Sequence, residues 1–192
     1  MQENERELVK RAQQGDRRAF GKLIQKYQDK ILYLAYDLVG NYDDAQDIAQ
    51  NAFLRAMNGI HAFKAQSSFS TWLYRIVVNL SIDYKRSVKR KKQLSIDEPT
   101  SDDMEQSYKE ILNENDKLPD EITELKDFEY HVQRIVETLP QNQRVAFVLR
   151  HYHDMDMPEI AKVLNCKTGT VRSHLFRAIS KLRTSLKEFE RS

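Results

Sequence analysis

Apolar residues in the first ninety positions recur every three or four residues, the spacing of one face of an α-helix. Phe20, Leu23, Ile24, Tyr27, Ile31, Leu34, Ala35 and Leu38 form one stripe, with Asp16 placed to cap it and Gly40 to end it. Asn41 is placed to cap the next helix, whose stripe is Ala45, Ile48, Ala49, Ala52, Phe53, Ala56, Met57 and Ile60. Gly59 and residues 61–68 read as a loop. Ser70 is placed to cap a third helix with Trp72, Leu73, Ile76, Val77 and Leu80 inward. A shorter helix, about Glu3 to Gln13, precedes them and ends near Gly15. No proline occurs before Pro99, so nothing interrupts these helices. Each stripe must bury against another, which predicts an antiparallel helical domain over 1–92.

The regularity breaks over 93–128, where Pro99, Pro119 and clusters of Ser, Thr and Asp read as a linker with short helical pieces. Helical spacing returns from Phe128. Val132, Ile135 and Val136 mark a helix that ends at Leu139 and Pro140, and Val145, Val148, Leu149 and Tyr152 mark the next. Asp156 is placed to cap a short helix with Pro158 in its first turn and Ile160, Ala161 and Leu164 inward. Asn165, Cys166 and Lys167 make a tight turn. Thr168 is placed to cap a longer helix whose buried stripe is Val171, Leu175, Ala178, Ile179 and Leu182. No strand-like alternation of useful length occurs. The expected fold is all-α: two small helical domains, 1–92 and 129–192, joined by an acidic linker over 93–128, the second domain holding a helix-turn-helix.

Composition narrows the function classes. The chain has 192 residues with only 5 Gly and 4 Pro, which argues against loop-rich sandwiches and low-complexity chains. No apolar run approaches the ~18 residues needed to span a bilayer, so no membrane insertion is expected. The opening Met-Gln-Glu-Asn-Glu-Arg-Glu carries no apolar stretch, so no secretory signal is expected. The single cysteine, Cys166, leaves no internal disulfide and fits a reducing cytoplasm. The net charge of +2 hides a strong polarity. Residues 93–129 hold 13 acids against 3 lysines, whereas residues 85–92 carry six bases and residues 162–187 seven, with no acid in either. Two basic blocks around an acidic segment suggest two polyanion-binding surfaces, although charge runs can equally be solvated faces.

Two stretches carry candidate chemistry. At about 100° per residue, Arg172, Ser173, Phe176 and Arg177 fall opposite the apolar stripe of the last helix. Arginine can take guanine bidentately, a hydroxyl can bond a base or phosphate, and a ring can touch a thymine methyl. Helix-turn-helix proteins present this chemistry near the start of the second helix; the alternative is an ordinary helical hairpin with a wet basic face. In the first domain, Arg75, Asn79, Asp83 and Arg86 share one polar helix face, behind a loop holding Phe63, Lys64, Gln66, Ser67 and Ser68. Aromatic and amide groups beside a basic tract can stack on unpaired bases and bond their edges. Trp72 and Phe69 read equally as core, and for Trp72, on the apolar stripe, core is the better reading.

Taken together, the chain resembles an extracytoplasmic-function (group 4) sigma factor of bacterial RNA polymerase, of the sigma-E type. The residues that carry the likeness are Gly15-Asp16 with Ala19-Phe20, the run Asp44-Ala45-Gln46-Asp47-Ile48-Ala49-Gln50-Asn51-Ala52-Phe53, Phe69 to Arg75 with Asn79, and Gly169-Thr170-Val171-Arg172-Ser173. The resemblance implies that the first domain is sigma region 2 and the second region 4. It implies a polymerase-docking face of Asp47, Gln50, Asn51, Leu54 and Arg55, directed at the clamp helices of the largest subunit, with a further contact at the flap region. It implies a −10 element site of Phe63, Lys64, Ser67, Ser68, Phe69, Arg75, Asn79, Lys85 and Arg86, in which the loop and Asn79 take a flipped base and Lys85 and Arg86 hold the backbone. It implies a −35 element reader of Lys167, Thr168, Thr170, Arg172, Ser173, Phe176 and Arg177. It further implies an anti-sigma factor as partner, and control of transcription in a stress response. Three positions depart from the family: Asn51 stands where Glu is usual, Lys167 where Pro is usual, and His174 where Arg or Lys is usual.

The rival readings are weaker. A stand-alone helix-turn-helix regulator shares the second domain but leaves the helices around Asp47–Phe53 and Phe69–Asn79 without a task. An enzyme is not expected, because no Gly-rich phosphate loop, His-Glu-x-x-His or nucleophile elbow occurs. His151, His153 and Cys166 match no standard zinc spacing and read as a surface pair plus an ordinary thiol. No metal and no cofactor are expected.

Overall fold

The computed structural model of the protein describes residues 4–94 and 131–189. The fold is all-α, and no strand occurs among the described residues. The chain divides into two compact units, Met1–Asp97 and Glu98–Ser192. Most of the expected acidic linker, residues 95–128, lies outside the described residues.

The first unit is built around α2 (Arg17–Val39), which packs against α1 (Glu5–Gln13), α3 (Tyr42–Gly59) and α4 (Phe69–Leu94). Its stripe is buried as the spacing predicts except for half-buried Ile24, with Leu23, Ile31, Leu34 and Ala35 wholly inaccessible. Asp16 caps α2: Oδ1 accepts from the amides of Arg18 and Ala19 at 2.9 and 3.1 Å, while Oδ2 takes the Arg11 guanidinium at 2.6 Å. One carboxylate therefore caps α2 and ties it to α1. Glu5, at the other end of α1, makes a second tie to α2, accepting from Tyr27 at 2.5 Å and pairing with Lys26. Gly40 ends α2 at φ 79°, a conformation that a β-carbon disfavours, and its amide closes on Tyr36 O at 2.7 Å. Asn41 then caps α3 through the Asp44 amide at 3.0 Å. On α4, Tyr84 hydrogen-bonds Asp44 and so fixes that helix against the start of α3.

In the second unit, α5 (131–137) leads through Pro140 into α6 (Gln141–His151), then α7 (Met157–Val163) and α8 (Thr168–Phe189). Val136, Val148, Leu149, Ile160 and Val171 form the centre of its core. Asp156 and Glu159 make a reciprocal capping box at the start of α7. The turn into α8 is closed by Cys166 N donating to Ala161 O at 2.9 Å, with Asn165 left-handed at φ 50°. Lys181 reaches from α8 to Thr138 O at 2.9 Å.

Seven features differ from the sequence expectation. Ser68, not Ser70, caps α4: its Oγ accepts from the Thr71 amide at 3.1 Å and its carbonyl from Trp72 at 3.2 Å. Thr168 is the first residue of α8, and Lys167 before it accepts from Thr170 and Val171. Met57, Ile179 and Tyr152, inward by their spacing, are exposed by 44%, 37% and 42%. Met57 and Ile179 lie at the edges of their stripes, where 100° steps leave a side chain roughly a quarter turn from the centre; Tyr152 lies just past the end of α6. The short helix begins at Glu5, behind an Asn4 cap, and residues 60–62 form a 3-10 turn rather than open loop.

The Asp16 carboxyl is held below the usual aspartate range, chiefly by the Ala19 amide and then by Arg11. A group whose folded pKa is depressed adds stability above its unfolded pKa and loses it as pH falls through the folded value. Asp16→Asn is therefore expected to flatten the loss of thermal stability between neutral and acid pH, as followed by circular dichroism. An unaltered acid slope would contradict the assigned role of this carboxylate.

Candidate nucleic-acid interface

In the second unit, the exposed face of α8 is set by its buried one. Val171, Leu175, Ala178 and Leu182 point into the core, which turns Arg172, Ser173, Phe176 and Arg177 outward. Phe176 is 72% exposed, so its ring is presented on the same face as the two arginines. Ser173 Oγ donates to Gly169 O at 3.1 Å, so its lone pairs remain free to accept. Lys167 and Thr170 are exposed and Thr168 is half-buried beside them. The structure thus brings all seven residues expected at this site to the first three turns of one helix and the residue before it. His174 turns back from that face: its Nδ1 is buried and has no hydrogen-bond partner. Cys166, in the turn, is half-buried, and burial pushes its thiol up.

In the first unit, Arg75, Asn79, Asp83 and Arg86 are all exposed along α4, with Arg86 3.9 Å from Asp83. Lys85 is half-buried beside them. Lys89, Arg90 and Lys91 continue the basic surface. The preceding loop is less uniform. Lys64 is exposed and Ser67 half-buried, but Phe63 and Phe69 are buried at 9% and 3% exposure. Their rings join Tyr27 and Trp72 in one cluster, with centroids 5.0 Å apart for Phe63–Trp72 and 5.7 Å for Phe69–Trp72 and Tyr27–Phe69. Burial, then the neighbouring Glu5 carboxylate, raises the Tyr27 pKa well above the usual tyrosine value, so this phenol stays protonated as a donor. The aromatic residues pack the loop onto α4, and the polar residues between them face solvent. Ser68 is engaged as the α4 cap and also lies 2.7 Å from Thr71 Oγ1.

A third surface lies on α3. Asp47, Gln50, Asn51, Leu54 and Arg55 are all exposed at helical spacing on one side. Leu54 is 50% exposed and Met57, one turn on, adds a second apolar group that the stripe reading had assigned to the core. Asn51 donates to Asp47 O at 2.9 Å, bonding within the helix. Sequence periodicity also gave no sign of Gln13, whose amide reaches across to residues 60 and 63. Among the described residues, no three His, Cys, Asp or Glu side chains gather as a metal site, and no helix is long and apolar enough to cross a membrane.

Known proteins match both units. Residues 23–91 match the family model for sigma-70 region 2, and residues 131–182 that for sigma-70 region 4. The RNA polymerase sigma-H factor of Pseudomonas aeruginosa is 36% identical over 177 residues, covering 92% of this chain and 91% of that one. The ECF RNA polymerase sigma-E factor of Escherichia coli is 37% identical over 175 residues, covering 89% of this chain and 88% of that one. The chain belongs to the ECF RNA polymerase sigma factors. Among solved structures, CnrH in complex with the cytosolic domain of CnrY shares the fold, with a TM-score of 0.68 at 23% identity over 96% of this chain and 97% of that one. The reading as a stand-alone regulator is not supported, because the region 2 match covers the very helices it leaves without a task.

The Ser68 cap has a measurable consequence. Ser68→Ala is expected to lower stability by about 1 kcal/mol, read from urea unfolding of the whole chain, whereas Ser70→Ala should change it by much less. The reverse order would restore Ser70 as the cap.

Proposed function

We propose that this ECF sigma factor brings core RNA polymerase to its promoters with a division of labour between its units: region 4, about 129–192, reads duplex DNA at the −35 element, and region 2, about 1–92, docks on polymerase and holds the melted −10 strand. The observation that carries the reading is the outward face of α8, where two arginines, a hydroxyl and a 72% exposed phenylalanine stand together in a stretch that has no acid from 162 to 187. Arg172, Ser173, Phe176 and Arg177 contact base edges, and Lys167, Thr168 and Thr170 contact phosphates at the helix start.

On region 2, Lys64, Ser67, Arg75 and Asn79 surround the extruded base, and Lys85 and Arg86 neutralise its flanking phosphates. Phe63, Phe69 and Ser68 serve this site by shaping it, since the two rings are buried and the hydroxyl caps α4. Base capture offsets part of the unstacking cost, a few kcal/mol per flipped base. Asp47, Gln50, Asn51, Leu54 and Arg55 form the polymerase-docking face on the clamp helices, with Met57 extending its apolar part; region 4 adds the contact at the flap. Exposed Leu54, Met57 and Phe176 also favour an anti-sigma factor that covers these faces and holds the protein inactive in the cytoplasm until a stress releases it. The protein acts by binding, not by catalysing a reaction of its own.

Two measurements separate the roles. Arg172→Ala and Arg177→Ala should each weaken holoenzyme binding to the −35 element by about 1–3 kcal/mol, with changed base preference there. Asn79→Ala should slow open-complex formation, read by permanganate footprinting, while closed-complex affinity is kept. Unchanged −35 binding and preference in both arginine variants, or equal loss at both stages for Asn79→Ala, would reject the respective assignment.

A further inference from the structure

We infer that Gln13, in the last turn of α1, is a positioning residue for the loop that receives melted DNA. The inference rests on the base-capture reading above and deepens it, because α1 lies outside the region 2 match of residues 23–91.

The side-chain amide nitrogen of Gln13 has two hydrogens and meets two carbonyls, Phe63 O at 2.7 Å and Ile60 O at 3.2 Å. His61 Nδ1 lies 2.6 Å from Gln13 O; a carbonyl only accepts, so His61 donates and Nδ1 carries the proton. Three hydrogen bonds thus join the end of α1 to a turn about fifty residues further along the chain. The turn closes on itself through Phe63 N to Ile60 O at 3.1 Å.

The polar loop begins at the next residue. Its Ala65 is held at φ 51°, a left-handed conformation that an alanine β-carbon disfavours. Such a residue persists where the chain on both sides is fixed. The far side is fixed by Ser68, which caps α4. The near side is fixed by the buried Phe63 ring and by the Gln13 amide on the Phe63 carbonyl. Lys64 to Ser67 therefore hang between two anchors, one of them supplied by α1. Gln13 is itself part-buried behind the loop, so it acts through the backbone it holds and not through DNA.

The test uses the full chain bound to core polymerase. Its probe is a labelled single-stranded oligonucleotide copied from the non-template strand of a promoter that the holoenzyme transcribes. Gln13→Glu keeps size and shape but sets a carboxylate against two carbonyls. It should weaken oligonucleotide binding on the order of tenfold, with core affinity and duplex −35 affinity unchanged. Gln13→Ala, which lets water reach the carbonyls, should give a smaller loss in the same assay alone. Full oligonucleotide affinity in Gln13→Glu, while Asn79→Ala loses it, overturns the inference and leaves base capture standing. Equal losses of core, duplex and oligonucleotide affinity also overturn it, since Gln13 would then merely hold the unit together. If Asn79→Ala keeps full affinity too, base capture is wrong and the positioning role falls with it.

Discussion

The buried face of α2 sets the terms for region 2. Every other α-helix of that unit packs against it, and its Leu23, Ile31 and Leu34 are wholly enclosed. Removing a side chain of that size from water is worth about 1.5–3 kcal/mol each, so the rotation of α2 and of its neighbours is decided by apolar burial. Once that rotation is set, the polar faces have no choice of direction. Arg75, Asn79 and Arg86 lie outside on α4 because Leu73, Val77 and Val78 are inside, and Asp47 and Gln50 lie outside on α3 because Ile48, Ala49 and Ala52 are inside. The same rule on α8 turns its arginines outward. Phe176 and Leu54 obey the same rule, apolar side chains carried outward because they fall opposite the buried stripes.

Caps and ties then fix what burial leaves loose. Asp16 and Glu5 each bind both α1 and α2, and Tyr84 joins α4 to the start of α3. These contacts hold the proposed polymerase face on α3 and the proposed DNA face on α4 at one angle. For two modules tethered on polymerase, the second DNA contact becomes intramolecular, so each can be weak alone and the pair still selective. The acidic segment between the two basic blocks adds a charge of opposite sign where the chain passes from one to the other.

Local chemistry was legible in the sequence wherever it depends on neighbours in the chain. Asp16, Asn41 and Asp156 cap the helices they were placed to cap, and Gly40 ends α2, because a cap needs only the next three residues. Ser68 was missed because Ser68 and Ser70 offer the same hydroxyl, and burial of Phe69 decides between them. Met57 and Ile179 were misread because a stripe edge is apolar in pattern yet open in space. The outward faces of α4 and α8 could be drawn from 100° steps alone, whereas that of α3 came from the family resemblance. The support of the loop could not: Gln13 to Phe63, Tyr84 to Asp44 and Tyr27 to Glu5 span 50, 40 and 22 residues, and no periodicity reports a contact made by folding.

The most direct measurement is run-off transcription on genomic promoter fragments with purified core polymerase, with and without this chain. The account predicts discrete start sites that appear only when the chain is added, together with co-elution of the chain and the core subunits. Tight, sequence-specific DNA binding by the chain alone, with no new start sites and no association with core, would contradict it.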